Sequence, residues 1–182
     1  MKFVAWRRVA FWGGLAAVVY IAQSLGLLGS SNKVSAAFND NNNVVEVALD
    51  DAAVNSAVEE ARATLPLFLE HASTEPAGWE NVAIKVALQA DGPVENIWVG
   101  SFKPLEDGSF IGQLDNDPVY LGDLKAGSEV QFRYDQIVDW AFVEQGVGYG
   151  FYSVRALVGA MSEEQAAAVE AFLAPGKVPA TW

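Results

Sequence analysis

The chain has 182 residues, of which 52% are hydrophobic and 12% aromatic, a formal net charge of −12, and no cysteine. That length fits one domain of about 100–150 residues with extensions, and the apolar content excludes disorder throughout. The lack of cysteine excludes disulfides, thiolate-held metals, a cysteine nucleophile and a lipoprotein anchor, while the acidic balance argues against nucleic acid as a partner.

The charge is unevenly placed. Up to Lys33 the chain carries Lys2, Arg7, Arg8 and Lys33 and no acid; from Val34 onward seven bases face all 23 acids, a net charge of −16. Between the basic residues runs Val9–Leu28, uncharged and interrupted only by Gly13, Gly14, Gln23, Ser24 and Gly26. About 18 or more such residues suffice to span a bilayer as a helix. Trp6, Phe11 and Trp12 suit the interface, and the bases hold that end in the cytoplasm. Two readings stay open: an uncleaved anchor, or a signal peptide cleaved near Ala36 after the small residues Val34 and Ser35. In either case the remainder is expected outside the cytoplasm.

Gly29–Asn43 is polar and turn-rich, as a flexible tether would be. Its Asn39–Asn43 run is no calcium loop, because Val44 and Val45 interrupt the alternating oxygen ligands that such a loop requires. From Asp50 to His71, apolar residues recur at three- and four-residue steps (Ala53, Val54, Ala57, Val58, Ala61, Leu65, Phe68), predicting an amphipathic helix capped by Asp50 or Asp51. Pro66 should kink or restart it. Alternation then predicts strands at 82–88 and 94–102, joined as a hairpin through Asp91-Gly92-Pro93. Further strands are expected at Ser109–Leu114, Val119–Leu121 (a short edge), Glu129–Tyr134 and Tyr149–Val158, with an apolar run from Ile137 to Val143. Ser162–Leu173 reads as a terminal helix, with Ser162 and Gln165 placed for a capping box.

Few residues offer chemistry. His71 is the only histidine and reads as a helix-end surface residue; one histidine and no cysteine give no zinc set, and no nucleophile elbow is present. Asp115, Asp117 and Asp123 crowd the DNDPVYLGD stretch, which reads as turn chemistry before Pro118. Gly146, Gly148 and Gly150 lack the following Gly-Lys-Ser/Thr of a phosphate loop and read as a tight turn or close backbone approach. Trp140 should be core. Asp139 beside it, and Arg155 in an apolar stretch, would be costly to bury unpaired, so an Asp139–Arg155 ion pair is expected. An anion-binding Arg155 is the functional rival.

At these residues the chain resembles a known family. Asp51-Ala52-Ala53, Ala61-Arg62, Leu65-Pro66 and Lys85-Val86 are joined by Glu95-Asn96-Ile97-Trp98-Val99, Gly112 with Asn116 and Pro118, Asp139-Trp140, and Gly150 with Tyr152-Ser153-Val154-Arg155. Together they are similar to the bacterial domain of unknown function family 2314 (YegJ-like), over about residues 51–158. Asn96 stands where that family usually has His, and Ser153 where it usually has Thr, which weakens any histidine chemistry here. The resemblance implies an α+β domain, often exported or membrane-tethered. It carries over Glu95, Trp98, Asn116, Asp139, Trp140 and Arg155 as candidate ligand-binding positions, with no established activity.

The expected organisation is therefore a cytoplasmic basic end (1–8), a membrane anchor or signal helix (9–28), a linker (29–49), an exported α+β domain (50–160) and a C-terminal helix and tail (161–182). In the domain an N-terminal helix packs on a mainly antiparallel sheet of about five strands. No catalytic residue, metal or cofactor is expected. The favoured function is a non-enzymatic envelope domain that binds a protein or small ligand. A hydrolase-like enzyme using Glu95, Asp115 or Asp117 and a structural envelope component are the rivals. An enzyme requires at least two of Glu95, Asp115, Asp117, Asp139 and Arg155 to converge in a pocket. A binding module requires an exposed apolar patch or an open sheet edge.

Overall fold

The computed structural model describes residues 35–38, 44–46, 51–74 and 76–182. The expected anchor at 9–28, the Asn39–Asn43 run and the Asp50 cap lie outside the described residues. Among those described, no helix is long and apolar enough to cross a membrane. Within the span read as a linker, β1 (Ser35–Phe38) and β2 (Val44–Glu46) pair as a separate antiparallel ribbon.

Helix α1 (Asp51–Ser73) runs unbroken through Pro66. Pro66 is exposed, so its ring displaces no core side chain, and the helix continues where a kink or restart was expected. There follow β3 (Trp79–Leu88), β4 (Glu95–Pro104), β5 (Phe110–Leu114), β6 (Glu129–Phe132), β7 (Ile137–Glu144) and β8 (Val147–Gly150). They form one sheet in the order β6-β5-β4-β3-β7-β8, with every neighbouring pair antiparallel. The α+β class holds, with six strands in place of about five. The expected β3–β4 hairpin is present, and β3 starts earlier than expected, at Trp79. Gln145 and Gly146, both at positive φ, make the two-residue turn between β7 and β8, the left-handed geometry that matches strand twist.

Strand alternation gives the sheet two faces. On one, Ile84, Val86, Ile97, Val99, Trp140 and Phe142 pack under Leu65 and Phe68 of α1. Phe68 stacks on Trp140 with ring centroids 4.7 Å apart. The C-terminal Trp182 closes this aromatic group, stacking on His71 at 4.5 Å. On the other face, Ala83, Trp98 and Ala141 meet Phe151, Val154 and Val169.

Two expected strands are replaced. The segment expected as a final strand at 149–158 leaves the sheet at Gly150 and becomes α2 (Tyr152–Leu157). Gly150 has φ +75° and lies so close to the Trp140 carbonyl that no Cβ would fit; Phe151 follows at φ 53°. These two left-handed residues turn the chain into a helix, so the close approach expected of the glycine holds while the strand does not. Val119–Leu121 is a turn, because its backbone donors are taken by a side chain, as described below. The terminal helix, α3 (Glu163–Phe172), forms as expected, with the Ser162–Gln165 capping box in place.

Candidate functional site

Cross-strand register places Asp139 of β7, Lys85 of β3 and Trp98 of β4 side by side on the α2–α3 face of the sheet. All three are buried. Asp139 is satisfied by the start of α2: its carboxylate accepts from the amides of Tyr152 (3.1 Å) and Ser153 (2.8 Å), from the Ser153 hydroxyl (2.7 Å) and from the Trp140 amide (2.8 Å). It therefore caps a helix whose own N-cap, Phe151, offers no side-chain acceptor. The Lys85 ammonium donates to the Ser153 hydroxyl at 3.3 Å and sits 5.6 Å from the Trp98 ring centroid. Burial pushes the Lys85 ammonium below its ordinary value of 10.5, against the pull of the Asp139 charge. Burial likewise pushes the Asp139 carboxyl up, against its Ser153 hydrogen bonds. In the sequence Lys85 stands in the alternating run with Ala83 and Ala87, opposite the apolar face; a charged residue between two alanines of an apolar strand is the signal that marks it.

Arg155 does not pair with Asp139, contrary to expectation. Its guanidinium donates to the carbonyls of Gly150 (2.8 Å), Ala174 (2.9 Å) and Gly148 (3.5 Å). The four donors around Asp139 leave it no need of an arginine, and Arg155 instead ties the C-terminal segment to β8. The same edge is closed by a parallel bridge between Gly148 and Leu173 and by the Gly150 amide donating to Lys177.

The other carried-over positions lie apart. Trp140 is fully buried under α1, its indole N–H donating to the Ala61 carbonyl and the Thr64 hydroxyl, each at 3.1 Å. Asn116 is buried after β5, donating to the Asp117 carbonyl at 3.3 Å, while its own side-chain carbonyl has no partner among the described residues. Glu95 is completely buried at the start of β4 on the α1 face. Its carboxylate accepts from the Val119 amide (2.9 and 3.0 Å) and the Tyr120 amide (2.8 Å). This removes Val119–Tyr120 from any strand ladder and fixes the 115–128 loop over the sheet, with Leu121 buried beneath it. Asp117 binds the loop back on itself through the Ala126 amide at 2.9 Å, in keeping with turn chemistry.

The six candidates thus do not form one pocket. Only Arg155 lines the larger cavity, an open groove of about 660 Å³ between α1, α2 and the C-terminal segment, with Ala53, Ser56, Glu60, Tyr152 and Lys177 on its walls. Lys177 forms an ion pair with Glu60 there. Neither this groove nor a smaller cleft beside β6 is lined by Glu95, Asp115, Asp117 or Asp139, and no cluster of three or more histidine, aspartate or glutamate ligands suited to a metal occurs among the described residues. Three of the exposed large apolar side chains lie on the Glu95-held loop: Val119 is 66% exposed, Tyr120 40% and Leu124 36%; Leu67 and Tyr134 are exposed elsewhere. The loop was expected as turns and a short edge strand.

Comparison with known proteins places the domain in a family. The model of the family described as an uncharacterized protein conserved in bacteria (DUF2314) matches residues 51–172. A putative ankyrin repeat protein of Neisseria meningitidis serogroup B is 32% identical over 124 residues, 63% of this chain and 48% of that protein, so the match spans about half the relative's length. Uncharacterized protein YegJ of Escherichia coli K12 is 26% identical over 117 residues, 64% of this chain and 74% of that protein. No solved structure matches. With the family match extending past the expected boundary at Val158 to take in α3, the chain belongs to the DUF2314 family.

Proposed function

We propose that this is a membrane-tethered bacterial envelope protein whose acidic domain binds another protein, without chemistry of its own. The uncharged Val9–Leu28 stretch behind a basic end supports the tether, and the bases Lys2, Arg7 and Arg8 at that end support a location of the body outside the cytoplasm. The observation that carries the binding reading is the loop bearing Val119, Tyr120 and Leu124. Apolar side chains grouped on one exposed loop suit an interaction site. Here a buried carboxylate holds the backbone beneath them in one geometry. Such pre-organisation reduces the ordering cost of association.

In-cell photocrosslinking from position 119 or 120 of the full chain tests the reading. A discrete protein adduct, lost when Leu124 is changed to Asp, is the expected result; no adduct from either position overturns it. Fractionation tests the tether: the intact chain should remain with membranes, and a soluble domain with a new N-terminus near Ala37 refutes it.

A further inference from the structure

The sheet has two edges, and among the described residues only one is closed. The C-terminal segment covers β8, whereas β6 pairs with β5 alone among the described residues. Beside β6, Leu124 joins Leu88, Leu121 and Val130 around a cleft of about 190 Å³. An unpaired strand next to an apolar cleft matches what strand addition uses: backbone groups provide affinity, and a pocket accepts alternate side chains.

Charge identifies the occupant. Asp91, Asp117, Asp123 and Glu129 are exposed on the loop and its flanking segments, with Lys125 among them, while Arg133 at the end of β6 is paired with Asp135. The Asp91–Gly92 turn lies against Tyr120: a Cβ on Gly92 would stand 3.5 Å from that of Tyr120. The surrounding body, from Val34 onward, carries −16. A second copy of this chain would bring the same acidic edge to itself, and an anionic lipid surface would be repelled. We infer that β6 and the Val119–Leu124 loop receive an extended, positively charged segment of a partner protein, which adds as a strand to β6 and places an apolar side chain in the cleft. This rests on the binding reading above and names the partner's chemistry.

The probe is a fluorescein-labelled peptide of about eight alternating Lys and Val residues, titrated by anisotropy against the full-length chain in detergent. Binding should weaken about tenfold or more as salt rises from about 50 to about 500 mM, since surface charges are then screened. A Glu–Val peptide should not bind. A Lys–Val peptide N-methylated at alternate amides, unable to complete a ladder on one edge, should lose about tenfold or more, and Asp91→Asn with Asp123→Asn should weaken the parent peptide several-fold. The N-methylated peptide leaves the protein unaltered, so its result does not depend on a variant folding. Equal binding of the acidic or N-methylated peptide overturns the inference. So does failure of the Lys–Val peptide to bind while position 119 or 120 still crosslinks a partner, an outcome that leaves the binding reading intact. Loss of every crosslink overturns that reading instead.

Discussion

The two edges of the sheet are built in opposite ways. At the β8 edge, donors and acceptors are consumed internally: Asp139 caps α2, α2 carries Arg155, and Arg155 holds the C-terminal segment along the strand. At the β6 edge, the buried carboxylate of Glu95 organises a loop whose apolar side chains remain in solvent. Both arrangements depend on a buried acid that accepts backbone amides. One closes the fold, and the other presents a surface. Exposed strand edges invite pairing, and among the described residues it is the β6 edge, beside the exposed apolar loop, that no further strand covers.

The comparison breaks most severely at Asp139. Asp139→Asn puts an NH₂ or a single carbonyl where a carboxylate accepts four donors, and leaves Lys85 without its counter-charge. Removing one partner from a buried charged group costs about 3–5 kcal/mol, so denaturant unfolding should show a loss of that order. Amides of α2 and of the C-terminal segment should exchange faster than those of β4 and β5. Arg155→Ala comes next. It releases three carbonyls of the seal, and hydrogen bonds from charged donors contribute about 1.5–3 kcal/mol each when removed singly. With partial exposure of the guanidinium, about 2–3 kcal/mol in total is expected. The melting temperature should fall by about 5–10 °C, with exchange protection lost first at Gly148 and Gly150. A fall of similar size with those amides still protected would mean that Arg155 acts elsewhere.

How much of this was legible from sequence follows from the range of the interactions. Elements written in local code were readable: the α1 periodicity, the Asp91-Gly92-Pro93 hairpin and the Ser162–Gln165 capping box depend on neighbours within a few residues. The strand expected at 149–158 failed because its conversion to helix is decided by Asp139, more than ten residues upstream, and by Gly150 against Trp140. Val119–Leu121 failed for the same reason: its amides go to Glu95, 24 residues away. Asp139 and Arg155 stand out in the sequence by the cost of burying a charge, Trp140 by its apolar neighbours, and Glu95 through the family resemblance; all four matter to the fold. The patch does not stand out in this way, because exposure of Val119 and Tyr120 is a property of the folded surface. The Asp139–Arg155 pair was wrong in its partner, although it rightly held that neither charge could be buried alone.

On the β6 side, Glu95→Gln tests whether the loop is held by charge. The amide retains one acceptor oxygen and sets an NH₂ against the Val119 and Tyr120 N–H groups, which should destabilise by about 1–3 kcal/mol. Loop amides 119–121 should lose protection while the β8 edge stays closed. Lys85 gives a pH test on the sealed side. Its folded-state pKa is lowered below 10.5, so between the two values the unfolded chain binds more protons and stability rises with pH. That contribution is fully present above 10.5 and is lost as pH falls through the lowered value. The difference in melting temperature, wild type minus Lys85→Met, should therefore grow as pH climbs towards 10.5. Tyr152, pushed up by burial, titrates in both proteins and largely cancels. A flat difference would mean that Lys85 carries no burial penalty.

The smallest effect on stability is also the most informative about function. Val119 is 66% exposed, and its amide, not its side chain, makes the contact with Glu95. Val119→Asp should leave the folding free energy within about 0.5 kcal/mol, because the backbone hydrogen bond survives and little apolar area returns to water. The same change places a charge at the centre of the exposed patch, where a desolvated, unpaired carboxylate is costly to a partner's apolar side chain. Crosslinking from position 120 should then be lost with an unchanged melting curve. Loss of both together would make Val119 part of the core and remove the distinction between the two edges.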